Sequence, residues 1–117
     1  MKKTFASISL LTALATPASA TDFTVEIINL TRGSWFTPFL VAAHADSARL
    51  FTTGEPASTS LQTMAEGGDI GPLQADVEAL NATIVANPAE GLLAPGQRTS
   101  ASLNTDDAPD NTRLSIV

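Results

Sequence analysis

Residues 23–30 read Phe-Thr-Val-Glu-Ile-Ile-Asn-Leu. Apolar side chains at Phe23, Val25 and Ile27 alternate with Thr24 and Glu26. A period of two means a strand with one buried face. The alternation slips at Ile28, so a bulge is expected near Ile28-Asn29. Thr31-Arg32-Gly33-Ser34 then reads as a turn. Trp35 to Ala43 reads as a second extended stretch, with Pro38 marking an edge or a bend. Its end, Phe39-Leu-Val-Ala-Ala43, is a short unbroken apolar run. Such a run suits a strand covered on both faces, so layers on either side are expected.

Further along, His44 to Ser47 reads as a polar connection, and Arg49-Leu50-Phe51 as a short apolar return. Gly54 to Ser58 is a loop. Ser60 is placed to cap a short helix over Leu61–Glu66, which Gly67-Gly68 would end. Pro72 suits the first turn of a second helix with Leu73, Val77 and Leu80 on one face. Helices this short need a surface to lie on. Thr83-Ile84-Val85 is β-prone, Asn87-Pro88 marks a turn, and Pro95-Gly96 fits the centre of a type II turn. Arg98–Leu103 reads as a polar surface strand. Thr112–Val117 reads as a last strand with Leu114 and Ile116 in phase. The expectation is a mainly β chain with one or two short helices.

Outward from that body, the first residues have another character. Met1-Lys2-Lys3 is basic, Thr4 to Ala15 is apolar, and Ala18-Ser19-Ala20 offers small residues before a cut. This is the pattern of a secretory signal over residues 1–20. Its apolar stretch of about twelve residues is short of the roughly 20 that span a bilayer. Residues 21–117 are then expected as one exported domain, periplasmic or extracellular, with no membrane span left. They hold four basic residues and all twelve acidic ones, a net charge of −8 with His44 neutral. Such a chain repels phosphate backbones, which argues against nucleic acid as a partner. With no cysteine, disulfides, thiolate catalysis and thiolate zinc sites are excluded.

Candidate sites are few. His44, with Asp46 nearby, is the only histidine, but no Gly-x-Ser-x-Gly elbow frames a nucleophile. A small hydrolase using His44 is the weaker reading beside a hydrogen-bonded structural histidine. Asp106, Asp107 and Asp110 lie between Asn104 and Asn111. Calcium takes six to eight oxygen ligands in irregular geometry, so these three carboxylates are the candidate metal ligands. The spacing is not that of an EF-hand, and the alternative is a hydrated acidic turn. Trp35 and Phe36 are read as core, with an exposed aromatic contact as the alternative. Asn29-Leu-Thr31 and Asn81-Ala-Thr83 match the glycosylation acceptor pattern.

One resemblance joins these pieces. Val25 to Gly33, Thr37-Pro38, Val41-Ala-Ala-His44, Leu50-Phe51, Gly54-Glu-Pro-Ala-Ser58, Ala65-Glu-Gly-Gly-Asp69 and Pro72-Leu73 occur in an order that resembles the spondin N-terminal domain. They most resemble the short exported bacterial proteins made of that domain alone. Pro95-Gly96-Gln97 and Thr112-Arg-Leu-Ser115 fit the same pattern. The resemblance implies an antiparallel β-sandwich similar to C2 domains. It also implies an adhesion-type, non-enzymatic binding module with calcium in its loops, whose partner is an extracellular or cell-surface protein or glycan. Members of the family continue past the strand that ends here at Val117, with a Thr-Asn-Asp loop and further strands. A partial domain is therefore expected, and a fragment with no function of its own is a further alternative.

Overall fold

The computed structural model describes residues 20–117. The expected signal, residues 1–20, lies outside these except for Ala20. Among the described residues the chain is mainly β, with five antiparallel strands in two sheets and two short helices. β1 (Phe23–Ile28) pairs with β4 (Arg98–Leu103). β2 (Leu40–His44) lies between β3 (Thr83–Ala86) and β5 (Arg113–Ile116). Helix α1 (Thr59–Gly67) and helix α2 (Gly71–Glu78) fill the crossover from β2 to β3.

The unbroken apolar run is central, as its composition predicts. Every residue of β2 is buried. Its two faces serve two clusters. Val41 and Ala43 pack with Val25, Ala101 and Leu103 of the small sheet, flanked by Phe23, Ile27 and Val85. Leu40 and Ala42 pack with Leu50, Leu73 and Val77, flanked by Leu61, Met64 and Ile70 of the helical crossover. The order of layers is thus small sheet, larger sheet, helices. Burying each large apolar side chain contributes about 1.5–3 kcal/mol, which neither short helix could supply alone.

Several expectations shift in detail. The β1–β4 register runs unbroken from Phe23↔Leu103 to Ile28↔Arg98, so the slip at Ile28 is not a bulge. Ile28 faces out, and the chain turns inward at Asn29, which is fully buried. The second extended stretch is a strand only from Leu40. Before it, Phe36 makes a single bridge to Leu93, and the chain bends through Pro38. Trp35, expected in the core, is exposed. Phe36 instead turns inward, edge to face with Phe39 at 5.9 Å, and alternation sends Trp35 the other way.

Helix α1 is capped by Ser58 rather than Ser60: the Leu61 amide donates to Ser58 Oγ at 3.1 Å. Gly68 ends it at φ 70°, its amide donating to the Met64 carbonyl. A Cβ at Gly68 would come within 3.0 Å of Thr37 Cγ2. Leu73 and Val77 of α2 are buried, but Leu80 is exposed because the helix stops at Glu78. Asn81, at φ 57°, turns the chain, and the Ala82 amide closes onto the Val77 carbonyl. On β5, Leu114 and Ile116 lie opposite Ala43 and Val41 and so share the inner face. Both are nonetheless exposed, because the small sheet does not extend over them. Among the described residues no helix is long and apolar enough to cross a membrane.

Candidate functional site

Three places gather chemistry. The first lies where β1 ends. Asn29 is 0% exposed, yet every polar atom of its side chain is used. Its Nδ2 donates to the Ser34 carbonyl at 2.7 Å and the Leu93 carbonyl at 2.9 Å. Its Oδ1 accepts from the Thr31 amide at 3.0 Å and the Thr31 hydroxyl at 2.7 Å. The Asn29 backbone also bonds Gln97 and Gly96. One buried amide therefore locks the 29–34 turn to the 93–97 loop. Three exposed side chains are immediate neighbours of residues in this network: Leu30 beside Asn29, Trp35 beside Ser34 and Leu92 beside Leu93. Their exposures are 86%, 59% and 58%. Large apolar groups held outward on a rigid frame make this the candidate interaction surface. The Asn29 sequon is also explained: an amide nitrogen buried in two hydrogen bonds is closed to a glycan. Asn81 is exposed.

The second place is at the other end of β2. Asp107 and Asp110 line an open groove of about 690 Å³ with Glu78, Asn81 and Thr83. Asn111 secures its floor, donating to the Asn81 carbonyl at 2.8 Å and Thr83 Oγ1 at 3.3 Å. Asp106 stands apart from the groove. Its carboxylate accepts from Asn104 Nδ2 at 3.0 Å, and its amide donates to Asn104 Oδ1. Asn104 also donates to Asp22. The three expected ligands are thus split between two settings. Among the described residues no three His, Cys, Asp or Glu side chains gather to hold a metal ion.

The third place centres on His44. It sits in β2 itself rather than in the following connection, and is only 5% exposed. Asp46, its expected neighbour, is engaged elsewhere, accepting from Arg113 Nε at 2.7 Å. His44 Nδ1 instead lies 2.9 Å from the Ala45 carbonyl, and Nε2 lies 2.7 Å from Ser115 Oγ. Ser115 was invisible as a partner in the sequence. Only the β2–β5 register, with Ala42 opposite Ser115 and His44 opposite Arg113, sets it diagonally beside the ring.

Compared with models of known protein families, with curated proteins and with solved structures, the chain matches none. The ordered motifs and the three places above are what a functional reading rests on.

Proposed function

We propose that the chain is an exported binding module of the spondin type that grips an extracellular or cell-surface protein through Leu30, Trp35 and Leu92. The observation that carries this reading is Trp35, 59% exposed on a turn that the buried Asn29 holds in place. Tryptophan is the side chain most enriched among residues that dominate binding energy. A rigid turn also lowers the ordering cost of association. Leu30 and Leu92, exposed on the two segments that Asn29 ties together, favour an apolar protein surface over a sugar face, which would need hydroxyl partners. The excess of acidic residues disfavours anionic glycans and anionic lipid. Calcium bracing of the 104–111 loop belongs to the same proposal, and it requires Asp106 to give up its Asn104 contacts.

The test uses Trp35 as its own reporter, since it is the only tryptophan. Fractionated envelope and extracellular proteins of the producing cell are titrated into the full chain. A true partner gives a saturable shift of Trp35 emission to shorter wavelength. Trp35→Ala should weaken that partner's retention by about thirtyfold, the equivalent of roughly 2 kcal/mol. Glu26→Gln, on the exposed side of β1, should leave it unchanged. Equal retention of all three proteins removes the tip from the mechanism.

A further inference from the structure

We propose that Ser115 is a nucleophile that accepts the acyl group of small anionic esters, with His44 as its general base. The inference concerns the other end of β2 and does not depend on the binding tip. It starts from a tautomer. A backbone carbonyl can only accept, so the nitrogen 2.9 Å from the Ala45 oxygen, Nδ1, carries the hydrogen. In the neutral ring Nε2 then holds the free lone pair. Ser115 Oγ, 2.7 Å away, donates its hydrogen to that lone pair. This is the nucleophile–base contact of acyl transfer, with the Ala45 carbonyl taking the orienting part that a carboxylate plays elsewhere. Burial on β2 fixes the ring, so the pair is held without a loop to order it.

The pair also faces space. His44 and Ser115 form one wall of a pocket of about 360 Å³ whose other walls include Arg49, Leu50, Phe51 and Thr52. The apolar side chains suit a short acyl chain. Arg49 makes no ion pair among the described residues, whereas Arg98 and Arg113 both do. Among the described residues it is the one cation on this pocket, and it selects an ester carrying an anionic group. The backbone N–H groups of Leu50, Phe51 and Thr52 donate to no backbone carbonyl among the described residues. They belong to the segment that lines this pocket, where an amide donor would meet the charge that a carbonyl oxygen gains.

The step balances within the pair and the ester. Ser115 Oγ attacks the carbonyl carbon as its proton passes to His44 Nε2. The bond from carbon to the alcohol oxygen breaks, and the alcohol leaves with the proton from Nε2. The products are acyl-Ser115 and free alcohol.

The experiment treats the full chain with the mono-4-nitrophenyl ester of glutaric acid and, separately, with uncharged 4-nitrophenyl butyrate. The expected result is release of one equivalent of nitrophenol with a glutaryl adduct mapped by mass to Ser115, faster than with the butyrate. His44→Gln should slow acylation at least a hundredfold, the low end of general-base contributions. Arg49→Gln should cut the preference for the anionic ester about tenfold, as loss of a hydrogen bond to a charged group does. An adduct elsewhere, no adduct, or an unchanged rate in His44→Gln overturns the proposal. Adduct mapping needs only the unaltered chain, so the test survives if Ser115→Ala fails to fold. Glu26→Gln, on the small sheet and outside this pocket, should acylate normally.

Discussion

Asn29→Ala isolates the feature on which the tip depends. The substitution removes four side-chain hydrogen bonds at once. Ser34 and Thr31 lie near the surface and can turn to water, so their bonds cost little beyond the usual net of about 0.5–1.5 kcal/mol each. The carbonyl of Leu93 differs, because Leu93 is buried. Water cannot replace the lost bond there, but the carbonyl keeps the Phe36 amide as its other donor at 3.1 Å, so this loss costs about 1 kcal/mol. Together with the small cavity, the expected loss is about 3–5 kcal/mol, a large share of the 5–15 kcal/mol typical of a domain. Asn29→Asp should be no milder above neutral pH, since it turns a double donor into an anion facing two carbonyls. The carboxyl of that variant would titrate above its unfolded value, so its penalty should shrink as pH falls and grow as pH rises through the folded value. The assay is urea unfolding followed by far-ultraviolet circular dichroism. Trp35 fluorescence is a poor probe of unfolding, because the ring is already wet. A loss below about 1 kcal/mol for Asn29→Ala would show that the network is dispensable and the tip is not locked.

Leu73→Ala should cost about 2–5 kcal/mol by opening a cavity between α2 and β2, read as a drop in the urea midpoint at unchanged slope. Gly68→Ala should cost at least about 1–2 kcal/mol, because the left-handed backbone at the α1 terminus is strained for alanine and Thr37 crowds the new methyl; a thermal melt checks it. Arg98→Ala should move the same melt by less than about 1 kcal/mol, since its pair with Glu26 at 3.0 Å is exposed. If calcium braces the acidic loop with the millimolar to submillimolar affinity common in extracellular modules, 10 mM calcium should stabilise the fold by about 1.4–2.7 kcal/mol. An unmoved melting midpoint would remove calcium from the proposal, and Asp107→Asn should abolish any rise that is seen.

How much of this was legible follows from the range of each signal. The run from Leu40 to Ala43 announced a strand covered on both faces, because composition alone demands it. The helix end at Gly68 and the Pro95-Gly96 turn were legible because backbone geometry there is a local matter; Gly96 sits at φ 77°, with the Gln97 amide closing on the Ala94 carbonyl. The helix start is ambiguous in the sequence because two serines can cap, and the structure begins it where the Gln62 amide reaches the Ser58 carbonyl. The chemistry of Trp35 suits the core, but its direction is fixed by the Phe36 bridge to a distant Leu93. The roles of Asn29 and Ser115 were hidden for the same reason. A polar residue after a strand carries no periodic signal, and cross-strand neighbours depend on a register that no local stretch encodes.

The bare inner face of β5 has a consequence for handling the protein. Leu114 and Ile116 sit side by side with an open row of backbone groups along the outer edge of the strand, guarded by one arginine already committed to Asp46. Two molecules meeting there lose water from both apolar pairs and satisfy both rows together. Salt that screens their mutual repulsion would bring that meeting closer, so dilute, low-ionic-strength stocks should stay clear the longest.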